Sequence, residues 1–289
     1  MLRAFFVSIH ETRALADILR LIASLDREYS ECCGVRVGLL ANWLRWRDLR
    51  GYLELAKKHG IIVMIDNGGF QGSTNPEALA RWVRSVQHLV DHVLVPDRPV
   101  VLCLSDHTVD PSCGDEAMEE TVRLARRFFE LAERYRIDHE KLVPVIQGYD
   151  VESYAKCYEG LVGLYEERFG SKPQLWALGS AKLWQWRSRD RLRRRRLRKL
   201  LAELGERLGG VRLHLLGIHG LDLKEVYAMS IVHSADSGSQ GLNYIYKWRT
   251  VLKCKTLTAE CYARSVEREV RLSLAPVRNR QLAPSQKAE

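Results

Sequence analysis

Three carboxylates and one glutamine stand where short apolar runs give way to polar turns. The turns read Asp66-Asn67-Gly68-Gly69-Phe70-Gln71, Ser105-Asp106-His107, Gln147-Gly148, Gly179-Ser180, His219-Gly220 and Asp236-Ser237-Gly238-Ser239-Gln240. A carboxylate can attack an electrophilic carbon or carry a proton, and a carboxamide can donate to a carbonyl oxygen and accept from an N–H. The plain alternative for any one such Asp is a helix cap, because turns after strands favour Asp, Asn and Ser. Asp66, Asp106, Asp236 and Gln147 together are harder to reduce to caps, since charges brought to one place call for a ligand or for mutual adjustment.

The elements that would bring them together are legible as alternation. The β-branched and apolar runs are Ala4 to Ser8, Val35 to Leu40, Ile61 to Ile65, Val100 to Leu104, Leu142 to Ile146, Leu175 to Leu178, Leu213 to Ile218 and Ser230 to His233. Between them, apolar residues recur at three- and four-residue spacing over Ala14–Leu25, Pro76–Leu89, Ala117–Tyr135, Ser153–Phe169, Arg191–Leu208 and Leu223–Met229. Strands alternating with helices predict βαβ units around a parallel sheet, and eight of them predict a closed (β/α)8 TIM barrel. A barrel presents its chemistry at the C-terminal ends of its strands, which is where these turns lie. The expected organisation is a single domain over 1–289, with a basic insertion or helix at about 183–208 and a C-terminal tail at about 272–289.

Composition excludes several classes. The 46% apolar and 28% charged residues are those of a globular chain. The first residues, MLRAFFVSIHETR, lack the apolar core and cleavage site of a signal peptide, and no stretch is long enough for a membrane span. Seven cysteines without framework spacing predict reduced thiols and a cytoplasmic setting. The net charge of +9 is concentrated in Arg187, Arg189, Arg191, Arg193, Arg194, Arg195, Arg196, Arg198 and Lys199. A charge run is often just a solvated helix face. Unbalanced charge over three turns repels itself, however, and an anionic partner such as a phosphate backbone would relieve it.

In order along the chain, IDNGGFQ (65–71), VLCLSDHTVDP (101–111), PVIQGYDVESYAKCYEGL (144–161), WALGSAK (176–182) and LHLLGIHGLDLKEVYAMSIVHSADSGS (213–239) resemble the tRNA-guanine transglycosylase superfamily of barrel enzymes. The resemblance implies exchange of guanine in a nucleic acid for a preQ0-like 7-deazaguanine base. Asp236 would then be the nucleophile that holds the ribose covalently, and Asp66 the general acid/base. Asp106, Gln147, Gly148, Gly179 and Ser180 would read the base edge, with Phe70 stacked on its face.

The departures from that family are specific. Asn67 replaces a serine, His107 a glutamate and Ser180 a glycine. The family's C-terminal cysteine-rich zinc module is missing: Cys254 and Cys261 are the only cysteines after Asp236, so no metal and no other cofactor is expected. The loop SGSQGLNYIYKWR (237–249) lacks the family's RNA-engaging Pro-Thr-Arg. The resemblance therefore runs toward a zinc-less branch acting on DNA rather than tRNA, with Lys182, Arg187, Arg193, Arg194, Arg195, Arg196, Lys247 and Arg249 on the nucleic acid. A homodimer or an accessory DNA-modification subunit would fit the same reading. The alternatives are action on tRNA and a non-catalytic nucleic-acid-binding subunit. Trp184 and Trp186 read as packing residues or stacking platforms, and His107, His219 and His233 as structural histidines.

Overall fold

The computed structural model describes residues 2–9, 15–42, 49–66, 75–93, 100–102, 115–179, 191–218, 220–237, 249–250, 252–256 and 258–282. Strands and helices alternate in the order β1 (Ala4–Ser8), α1 (Leu15–Cys33), β2 (Arg36–Asn42), α2 (Leu49–Lys58), β3 (Val63–Asp66), α3 (Pro76–Val93), β4 (Val100–Leu102) and α4 (Glu116–Arg134). There follow β5 (Leu142–Ile146), α5 (Val151–Phe169), β6 (Trp176–Leu178), α6 (Arg191–Leu208), β7 (Leu213–Leu215), α7 (Gly220–Val226), β8 (Val232–Ser237) and α8 (Ala259–Leu282). Each strand pairs in parallel with the next, and β8 pairs with β1, Phe6 opposite Asp236, so the sheet closes into an eight-stranded barrel.

Period-two alternation sorts the strand residues into two cores. Phe5, Val7, Val37, Leu39, Val63, Ile65, Leu142, Ile146 and Leu178 face outward and pack under the helices. Ala4, Phe6, Leu40, Met64, Val143, Val145 and Ala177 fill the interior. The helices are closed by local chemistry. On α5 the Asp150 carboxylate accepts from the Ser153 N–H at 2.8 Å and the Ser153 hydroxyl accepts from the Asp150 N–H at 3.0 Å, which satisfies two end donors at once.

Four sequence expectations change. The eighth strand, expected over Ser230–His233, runs Val232–Ser237 instead, because pairing with β1 extends it through polar Ser234 and Asp236. Asp236 therefore lies within a strand rather than in the turn after it. The tail expected from 272 is helix as far as Leu282, held by buried Ser273, Leu274 and Val277, and α8 packs on α1 and α7. A further helix, α2, lies where no helix was expected; its short apolar stripe of Leu49, Leu53 and Ala56 is buried. The cysteines are not all reduced thiols: Cys32–Cys33 and Cys254–Cys261 are disulfide-bonded, while Cys157 is free and buried. Among the described residues no helix is long and apolar enough to cross a membrane.

Candidate functional site

One layer above the apolar interior, the same alternation points Ser8, Asp66, Gln147, Gly179 and Asp236 into the barrel mouth. Asp66 follows inward Met64 by two residues, Gln147 follows Val145, Gly179 follows Ala177, and Ser8 follows Phe6. Asp66 is separated from β8 by β1 and β2, and Gln147 by β6 and β7, so the two flank Asp236 from either side of the ring.

Asp236 is the most built-in of these groups. Its Oδ1 accepts from the Gly217 N–H at 2.9 Å and faces His214 Nε2 at 3.3 Å. Gly217 can aim its N–H there because its φ of 71 lies in the left-handed region, which a glycine enters at no steric cost. Oδ2 makes no hydrogen bond among the described residues. The carboxylate is thus buried and gripped through one oxygen, while the other meets no hydrogen-bonding group among the described residues.

His214 on β7 was not among the sequence candidates. It is fully buried in the barrel interior, edge-on to Phe6, with Nδ1 at 2.9 Å from the Ser234 hydroxyl oxygen. The signal that would have found it is a histidine at an inward position of a three-residue apolar strand, where a leucine would otherwise serve. On the outer face of the same strand end, Ser237 donates to Glu269 of α8 at 2.9 Å, and Ser273 donates to the same carboxylate oxygen at 3.2 Å.

The β5 and β6 ends are shaped by a second missed residue, Tyr154 of α5. Its hydroxyl donates to the Gly179 carbonyl at 2.8 Å. A Cβ on Gly148 would stand 2.6 Å from the Tyr154 ring and 2.7 Å from its backbone nitrogen, and a Cβ on Gly179 would stand 2.4 to 2.6 Å from the Gln147 carboxamide. Both glycines are there because neighbours occupy the space of a side chain. The Gln147 N–H approaches the Cys157 sulfur at 3.4 Å, and burial pushes that thiol up to about 12.

Asp106, Ser180, Phe70, Lys182, Arg187 and Lys247 lie outside the described residues, as do Asn67, His107, His219, Trp184 and Trp186. Arg193 and Arg194 fall in the first turn of α6, Arg195 and Arg196 are exposed on it, and Arg249 is exposed in the turn after β8. His233 is half-buried, and its pKa is lowered, first by burial and then by Arg212 and His214. Among the described residues no group of three or more His, Cys, Asp and Glu side chains could hold a metal ion.

No protein-family model matches the sequence, and no curated protein matches it. Solved structures do share its fold. The crystal structure described as a fructose-1,6-biphosphate aldolase from Coccidioides immitis superposes with a TM-score of 0.54 at 13% identity, covering 96% of this chain and 89% of that one. The YdjI aldolase from Escherichia coli K12 gives 0.52 at 13% identity, covering 100% of this chain and 93% of that one. At such identity the likeness is one of fold.

The base-exchange activity implied by the strand-end motifs is corrected by these comparisons, and with it the 7-deazaguanine base and DNA modification, since these two fold neighbours are described as aldolases. The physical reason is that polar residues and glycines after barrel strands serve the architecture first, and the same mouth hosts unrelated chemistries. The role of Asp236 as a ribose nucleophile goes with that activity.

Proposed function

We propose that this chain is a lyase-type enzyme that catalyses an aldol cleavage or addition at the barrel mouth, with Asp236 as the general base. The observation that carries the reading is the asymmetric carboxylate at the end of the barrel where barrel enzymes bind substrates: Oδ1 is held by Gly217 and faces His214, and Oδ2 has no hydrogen bond among the described residues. In the cleavage direction Oδ2 takes the proton from the hydroxyl on the carbon β to a carbonyl. The oxygen's electron pair forms a new carbonyl, the carbon–carbon bond breaks, and its electrons pass into an enolate that is then protonated at carbon. Fixing the base in advance removes the entropy of orienting it during the reaction.

The enolate needs a partner for its charge. Gln147, buried at the β5 end, brings a neutral amide donor to the same mouth, and Asp236, protonated in the cleavage step, returns its proton to the enolate carbon. The aldolase character of the two fold neighbours agrees with this reading.

The test is a cleavage assay over ketoses, ketose phosphates and simpler β-hydroxy ketones, following aldehyde release by NMR. Wild-type protein should cleave at least one member, and Asp236→Asn should lose about a hundred- to ten-thousandfold in kcat with an unchanged circular-dichroism spectrum. A wild-type protein inert on the whole panel, or an Asn variant at the wild-type rate, overturns the assignment.

A further inference from the structure

Ser234, His214 and Asp236 form a line through the barrel interior, and its hydrogen atoms can be placed by accounting. Ser234 is 1% exposed, and among the described residues its hydroxyl oxygen meets only His214 Nδ1, at 2.9 Å. A buried hydroxyl keeps its proton on an acceptor. If Nδ1 carried a hydrogen, the serine oxygen would accept it and the serine's own O–H would be stranded. With Nδ1 bare, the hydroxyl donates to it, the imidazole is neutral, and its one proton sits on Nε2 facing Asp236 Oδ1.

We infer that His214 is a positioning residue, held by Ser234 as its Nε2–H tautomer so that it donates to Asp236 Oδ1 and leaves Oδ2 directed to the mouth. The inference rests on the proposed role of Asp236. The competing account is an ordinary core histidine whose polar atoms merely happen to be satisfied. The surroundings argue otherwise: Phe6 packs against the ring, and the apolar residues of the barrel interior are Ala4, Phe6, Leu40, Met64, Val143, Val145 and Ala177. An apolar residue at 214 would fill this space without needing two polar partners, so packing alone supplies no reason for imidazole. The tautomer also explains the division of labour at the carboxylate. Two N–H groups converge on one oxygen, from Gly217 and from His214, which fixes the rotation of the group about its last bond.

Long-range proton–nitrogen NMR on ring-labelled protein tests the first half. The wild-type His214 ring should show hydrogen on Nε2 alone at neutral pH, and Ser234→Ala should admit the other tautomer. Hydrogen on Nδ1 in the wild type overturns the inference. Kinetics on the lyase substrate test the second half. His214→Leu should melt close to the wild type yet lose about ten- to a hundredfold in kcat with KM within about twofold, and His214→Gln, which restores a donor near the Nε2 position, should recover most of it. A Leu variant with wild-type kcat overturns the positioning role. If wild-type protein cleaves nothing, the lyase reading falls on that result alone, and the tautomer experiment still decides how Asp236 is held.

Discussion

Gly148 and Gly179 sit at neighbouring strand ends and differ in what a methyl group would meet. At Gly148 the obstacle is the Tyr154 ring and backbone nitrogen, which are fixed by the start of α5. At Gly179 it is the Gln147 carboxamide, the far end of a flexible side chain. Gly148→Ala should therefore cost about 1–3 kcal/mol in urea unfolding, whereas Gly179→Ala should cost less and instead push the carboxamide out of the mouth. Equal losses for the two would show that the crowding has been misread. The turns that carry these glycines were visible in the sequence, because Gln-Gly and Gly-Ser after apolar runs are turn signals. Tyr154 was not visible, since nothing local marks a tyrosine in a helix as the support of a turn 25 residues later.

The long helix α8 closes the structure against α1 through an exposed ion-pair cluster. Glu28 of α1 accepts from Arg271 at 2.9 Å and from Arg278 at 2.8 Å, and the Arg271 guanidinium is held above its usual range by the hydrogen bonds to Glu28 and Glu267. These side chains are about a third to under half open to water, so solvent screens them. Glu28→Gln should lower stability by only about 0.3–1 kcal/mol in urea unfolding, and the difference should shrink in molar salt. A larger, salt-insensitive loss would mean that the cluster carries the packing. The weight of the contact lies instead in buried Tyr262, Val266, Val270, Leu274 and Val277. That stripe has helical spacing and continues past Pro276 into the residues from 272 on, which the sequence reading gives as a tail.

For the molecule as a whole, α8 lies behind the β8 end that carries Asp236, and Glu269 ties it to Ser237 there. Removing residues 259–289 would expose several side chains worth about 1.5–3 kcal/mol each when buried, a sum comparable with the entire stability of a typical domain. The truncated chain should show no cooperative thermal transition by circular dichroism; one matching the full chain would make α8 an accessory. The amino-acid sequence by itself determined the alternation of strands and helices, the closed barrel it implies, and the strand-end positions of Asp66, Gln147, Gly148 and Gly179, because apolar period and turn chemistry are local properties. Tertiary structure alone decided that β8 runs on through Asp236, that His214 and Ser234 lie beneath it, and that Glu269 stands behind it. Each of these depends on which strand or helix becomes a neighbour, and neighbours far apart in the chain leave no periodic trace. The same limit explains the corrected chemistry: carboxylates at a barrel mouth are set there by the fold, and only the groups that grip such a carboxylate say what it can do.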